Sequence, residues 1–199
     1  MNQIHRSIIL ALSIALLNAQ FAFAEAYEWK FDKPHCNFFF ETRHIYATVR
    51  GFFSDYSGTF IFDPANPETG KMKFELKVKS VQTAEEKRDT HLLSADFFDV
   101  DKFPIITFES SGIKKRGENQ LDVTGKLTIK DVSKQVTLPL TFLGEKDHAL
   151  VKNTRVAGFE GRLPLDRLEY HVGDGKYYKM GVVGKDVDIL VSLEMLRDK

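Results

Sequence analysis

From Lys71 the chain alternates without exception for nine residues, with Met72, Phe74, Leu76 and Val78 in one phase and Lys71, Lys73, Glu75, Lys77 and Lys79 in the other. Successive side chains of a strand point to opposite faces, so this segment is a β-strand with one buried and one wet face. The same period sets Leu121, Val123, Gly125, Leu127 and Ile129 against Asp122, Thr124, Lys126, Thr128 and Lys130. It returns at Val136, Leu138, Leu140 and Phe142, and at Val187, Ile189, Val191 and Leu193. Shorter strand-like runs lie at 27–31, 36–42, 47–53, 58–62, 105–113 and 156–163, many of them bounded by breakers such as Asp63-Pro64 and Gly173-Asp174-Gly175. The count is eight to ten strands. Only residues 83–93 read as helical, with a further turn over 94–100. Strands that follow one another through short turns predict an antiparallel sandwich or barrel, not alternating βαβ units. Long strands such as 120–129 favour a tilted sheet that closes on itself, and a barrel of about eight strands holds either packed side chains or one ligand. The expected fold class is therefore all-β with one or two short helices: one apolar face per strand suits a sandwich as well as a closed antiparallel β-barrel, and strand length favours a barrel of about eight strands.

The N-terminus carries a different signal. Arg6 precedes an apolar run over 7–17, which ends in Ala22-Phe23-Ala24. This is the order of a secretory signal peptide, and the run is well short of the roughly 20 residues that span a bilayer as a helix. Residues 1–24 are expected to be a signal peptide cleaved after Ala24, with 25–199 as a single domain and the periplasm as destination. The 28 basic and 28 acidic residues balance, and loss of Arg6 leaves a net charge of about −1. No polyanion surface is implied, and no nucleic-acid partner. The one cysteine, Cys36, cannot close an internal disulfide. Seventeen Phe against six Tyr and one Trp weight the interior toward rings with no polar tip to satisfy.

Several segments, in order, resemble one family. Trp29-Lys30-Phe31-Asp32, Pro34-His35 and the alternating Phe38, Phe40 and His44 resemble the opening of the YceI-like family. Gly51-Phe52-Phe53 and the run from Gly58 to Asp63 are similar to its next two strands. Arg88-Asp89-Thr90-His91-Leu92, Phe97-Phe98-Asp99 and the run from Phe103 to Phe108 are similar to its most diagnostic segment, and Gly125 to Ile129 and Gly158-Phe159 complete the series. The chain departs from the pattern at Cys36, where serine is usual, and at Leu168-Glu169-Tyr170-His171, which replaces an Asp-Phe-Gly pattern after Arg167. The resemblance implies an extended lipocalin-like barrel with an apolar tunnel for a long-chain lipid: a polyisoprenoid, an isoprenoid quinone or a fatty amide. It implies no required cofactor. A homodimer goes with it, and transient membrane contact is expected of a carrier for such a lipid.

On that reading the tunnel candidates are Phe38, Phe40, Phe60, Phe62, Phe74, Val78, Leu92, Phe98, Phe108, Leu127, Phe142 and Phe159. The competing reading is that these side chains simply fill the core. His44, Arg88, Asp89 and His91 are candidates for a polar headgroup. Against this, Arg88 and Asp89 serve equally as a brace of the helix on the barrel, and His44 as a satisfied interior histidine. The histidines and Cys36 also raise a periplasmic thiol- or metal-dependent hydrolase as an alternative. The spacing supports it poorly, since no His-Glu-x-x-His, Cys-x-x-Cys or Gly-x-Ser-x-Gly pattern occurs. His35 and Cys36, adjacent on an expected strand, point to opposite faces. No catalytic residue and no metal site are assigned, and the protein is not expected to be an enzyme. A fully packed interaction barrel with a stress-response role is the third alternative.

Overall fold

A computed structural model describes residues 26–199; the signal-peptide expectation lies outside these residues. Eleven strand segments form one antiparallel sheet: β1 (Tyr27–Phe31), β2 (Asn37–His44), β3 (Ala47–Phe53), β4 (Tyr56–Phe62), β5 (Lys71–Lys77), β6 (Val81–Gln82), β7 (Ile105–Lys115), β8 (Gln120–Ile129), β9 (Val132–Asp147), β10 (Thr154–Asp166) and β11 (Val183–Asp198). β11 pairs along most of its length with β10 and also with both β1 and β2, which closes the sheet on itself. β1 and β2 are thus two halves of one long strand lying on β11. β3 and β4 are likewise halves of a second, and β5 and β6 of a third. Merged in this way, the eleven segments make an eight-stranded up-and-down barrel, the closed one of the two forms that the alternation allows and the one that the resemblance implies.

The three interruptions lie side by side. A turn of 3-10 helix at Lys33–His35 breaks the first strand, Ser54 and Asp55 break the second, and a turn at Val78–Ser80 breaks the third. Each gives up ladder bonds and regains others locally, as buried backbone must. Ser54 N donates to Ser80 O (3.3 Å) and Lys77 N to Asp55 O (2.9 Å). Asp55 N donates to Ser80 Oγ (3.0 Å). The Tyr56 hydroxyl is within reach of Lys33 O (3.2 Å) and Cys36 O (3.1 Å) across the seam. Val78 keeps the phase that its alternation gives it and is fully buried, although its backbone has left the strand.

Above this seam the wall opens between the third and fourth strands. The last rung is Lys77 against Ile105, with Val78 N donating to Pro104 O. Beyond it β6 has β3 on one side only, and the chain fills the gap with α1 (Glu86–Leu93) and hydrogen-bonded turns over 94–103. The helix is three residues shorter than the sequence reading at its start. Glu85 caps it, accepting from Lys87 N (3.2 Å) and Arg88 N (2.6 Å), which satisfies two amides that a helix start leaves unpaired. A second short helix, α2 (Lys176–Lys179), follows β10.

Below the seam the barrel is solid. Trp29, Phe60, Phe62, Met72, Val123, Phe159 and Met195 are sealed from solvent. Phe159 stands at the centre, its ring 4.8 Å from Phe60, 5.0 Å from Phe62 and 5.3 Å from Phe142. Trp29 Nε1 donates to Phe62 O (3.0 Å), so the one polar tip in this cluster is paired. Gly58 lets β4 and β5 approach closely, since a Cβ there would lie 2.0 Å from Lys73 O. Phe159→Ala should destabilise the fold by about 3–5 kcal/mol, the range for emptying a buried aromatic site. Urea unfolding followed by tryptophan fluorescence checks it.

Candidate functional site

The half of the barrel above the seam is hollow. An outer chamber of about 390 Å³ opens between the β2–β3 hairpin, α1 and the segment that carries α2. Below it lies a wholly apolar void of about 110 Å³, then one of about 60 Å³. The outer chamber and the middle void share Phe40, Thr42, Leu92, Phe97 and Val183, and the middle and inner voids share Phe38, Leu76, Ile106 and Ile189. The three therefore follow one another down the barrel. Phe74 stands at the floor, stacked on Phe108 at 6.0 Å, with Phe60 of the solid half 6.3 Å beyond it.

Strand periodicity explains the lining. Phe38, Phe40, Thr42 and His44 are alternate residues of β2 and all face inward, from buried floor to exposed mouth. The neighbouring β11 presents Val187, Ile189 and Val191 directly beside Thr42, Phe40 and Phe38. Of the residues picked from the sequence, Phe38, Phe40, Phe74, Leu92, Phe98, Phe108 and Leu127 line one or more of these spaces. Phe60, Phe62, Phe142 and Phe159 line none of the three and pack together in the solid half, while Val78 sits buried in the seam. Phe53, Phe97, Leu76 and Tyr177 join the lining without having been picked. Leu76 carries the strict alternation of its strand. Phe97 sits in a turn and Tyr177 in the four-residue α2, both too short to show a period.

The polar candidates separate into two groups. His44, Arg88 and His91 border the outer chamber. Asp89 instead accepts from Thr83 Oγ1 (2.5 Å), the same oxygen that takes the Arg88 Nε proton (2.6 Å), and Arg88 Nη2 donates to Thr83 O (2.6 Å). The brace considered from the sequence is present, routed through buried Thr83. His44 is exposed at the mouth, not a satisfied interior histidine. His91 Nε2 lies 2.9 Å from Asp96 Oδ2, and its ring meets Phe97 at 5.0 Å and Tyr177 at 5.7 Å.

Two buried or half-buried cations fix the roof. Arg167 sends Nε to Gly184 O (2.8 Å) and Nη1 to Val172 O (2.6 Å), tying down the segment after β10. Burial lowers its pKa from the ordinary value, yet a guanidinium stays protonated, so its carbonyl partners carry the satisfaction of the charge. Lys130 Nζ donates to Phe97 O and His171 O, both at 2.7 Å, and so joins the two irregular segments over the chamber.

The residues of the hydrolase alternative do not converge. Cys36 is buried, and its thiol donates to Glu194 O (2.9 Å); burial pushes its pKa up to about 11. A thiol so raised is a poor nucleophile at neutral pH. His35 Nδ1 pairs instead with Asp32 Oδ2 at 2.7 Å, a hydrogen bond that raises the histidine pKa. Asp32, His35 and Glu194 hold ligand-type atoms within 4.8 Å of one another, the one such group among the described residues. The histidine is exposed and already engaged by Asp32, which suits an ion pair across the strand break.

A closed antiparallel barrel with an apolar chamber open at one end defines the class: a small binding barrel. The chain belongs to the YceI-like family, whose domain model matches residues 29–195. A UPF0312 protein of Azotobacter vinelandii is 37% identical over 189 residues, covering 94% of this chain and 95% of that protein. Among solved structures, Burkholderia cenocepacia BcnA superposes with a TM-score of 0.72 at 27% identity, covering 84% of this chain and 99% of that one. A polyisoprenoid-binding domain from Saccharophagus degradans superposes with a TM-score of 0.59, covering 88% of this chain and 99% of that one; at 12% identity this is a likeness of fold alone.

Thr83→Val should leave Arg88 and Asp89 short of partners at a cost of about 1–3 kcal/mol. Hydrogen exchange should then quicken by about tenfold or more at the α1 amides, with the solid half unchanged. Cys36 in the native protein at pH 8 should react with iodoacetamide about 100-fold more slowly than an ordinary thiol, since two units of pKa remove about two decades of thiolate. Labelling in urea should restore the ordinary rate.

Proposed function

We propose that this protein is a periplasmic carrier that holds the apolar tail of an isoprenoid, or a similar long-chain lipid, inside the barrel and catalyses nothing. The observation that supports this reading most is the run of voids: a chamber with polar groups at its rim leads to two further spaces with no polar surface at all. Headgroup outside and hydrocarbon inside is the arrangement that an amphiphile of this kind requires. The outer chamber, about 390 Å³, lies within the roughly 300–1,000 Å³ of ordinary ligand pockets, and the narrow inner spaces extend it into the barrel. Each CH₂ removed from water contributes about 0.8 kcal/mol. Noncovalent affinity nevertheless saturates near 18–21 kcal/mol, so ordering of the tail offsets much of the gain and keeps the cargo exchangeable. The polyisoprenoid-binding description of the Saccharophagus degradans domain points the same way. The periplasmic destination rests on the order of segments in residues 1–24.

Protein purified from its native host and extracted with organic solvent should yield a long-chain isoprenoid or related lipid at near one per chain by mass spectrometry. An empty extract would sink the carrier reading. Ile189 lies between the two inner voids. Ile189→Phe should fill that space, lowering the lipid recovered by about tenfold while costing only about 1–3 kcal/mol of stability.

A further inference from the structure

The mouth of the chamber carries apolar side chains that the barrel itself does not use. Tyr46 is 92% exposed, Met180 62%, Ile45 51% and Tyr178 45%. They belong to two turns that touch: Ile45 N donates to Val182 O (2.9 Å), Val182 N to Tyr177 O (2.9 Å) and Gly181 N to Tyr178 O (2.9 Å). Tyr177, Val182 and Val183 line the outer chamber directly beneath them. The exposed apolar turns therefore adjoin one side of the chamber's mouth, whose rim also carries His44, Arg88 and His91.

The backbone adds an independent observation. His44 pairs with Ala47, so Ile45 and Tyr46 form a two-residue hairpin turn, and Ile45 has φ of 51°. Glycine is the residue that such a turn favours, and a β-branched side chain there is strained. Ile45 thus stands in a strained conformation at an exposed apolar tip, next to Tyr46. Cations flank the tip: the segments 43–46 and 174–182 contain Arg43, Lys176 and Lys179 against Asp174. Arg43 Nη1 is held 2.9 Å from Tyr46 O, at the base of the turn.

We propose that this rim docks on the surface of a phospholipid bilayer. Ile45, Tyr46, Tyr178 and Met180 enter the boundary between headgroups and acyl chains, and the three cations meet lipid phosphates. Tyrosine, half apolar and half polar, suits that depth, and shallow apolar insertion beside basic residues is how interfacial segments hold to a membrane. The proposal rests on the carrier reading for its purpose, because a hydrocarbon tail passing from bilayer to chamber through this rim need not cross water.

The test is vesicle flotation of the chain starting at Glu25, which contains every strand of the barrel, with phosphatidylethanolamine vesicles holding about a quarter phosphatidylglycerol. The protein should float, and the double variant Tyr46→Ser, Met180→Ser should partition about tenfold less or weaker still. Tyr46→Trp should float as the parent does. Leu150→Ser with Val151→Ser, at exposed sites on the opposite end of the barrel, should also leave flotation unchanged. Failure of the parent to float would overturn the proposal. So would equal loss from the Leu150 and Val151 pair, or a rim variant that still floats but loses self-association instead. Uptake of a polyprenol diluted from ethanol, measured on the same variants, separates the two ideas. If the parent takes up none, the carrier reading falls, while flotation still decides whether the rim binds membrane.

Discussion

The closure of the sheet through β11 is the constraint on which the rest of the structure depends. β11 carries β10 along one edge and the broken strand β1–β2 along the other, so no long edge is left to be covered. A closed ring of fixed strand number has little freedom in its width. The interior can then differ from one end to the other only through the side chains that fill it and through breaks in the wall. This chain uses both. Three neighbouring strands break at one level, and the wall above them parts far enough for α1 and the turns after it to enter.

Stability and hollowness are thereby assigned to different halves. Below the seam, rings packed about 5 Å apart leave no solvent contact for Phe60, Phe62 or Phe159. Burying each such ring contributes about 1.5–3 kcal/mol. Above the seam, the segments that roof the cavity are tied to one another and to the barrel by polar attachments: Arg88 and Asp89 on Thr83, Lys130 on two carbonyls, Arg167 on the segment after β10. These are directional and short, so they can keep a space open where dispersion alone would favour collapse. A barrel packed evenly throughout would hold no tail. One hollow throughout would lack a core for a chain of this size with no disulfide.

The strand faces were legible in the sequence because the period of two survives every local accident. Val78 shows how far this reaches: it is buried in phase with Phe74 and Leu76 although a 3-10 turn has replaced the strand around it. Height along the barrel was not legible. Phe60 and Phe74 follow the same rule of alternation on neighbouring strands, yet Phe74 floors the cavity and Phe60 belongs to the solid half. Both lie below the break, Phe74 one rung-pair nearer to it than Phe60, and a break that preserves sidedness leaves little mark on the pattern. The roof was harder still. Phe97, Tyr177 and Arg167 act through hydrogen bonds and ring contacts between turns and single-turn helices, and such contacts have no period to read.

Phe40 shows how the two halves of the argument meet. It borders both the outer chamber and the middle void, with its ring 5.8 Å from Phe53. A Cβ on Gly51 would fall 2.3 Å from Phe40 Cζ and 2.8 Å from the Thr83 methyl. Glycine at 51 is therefore what lets this ring lie against β3, beside the threonine that braces α1. The passage from the outer chamber inward and the attachment of the helix above it are thus set by the same few atoms.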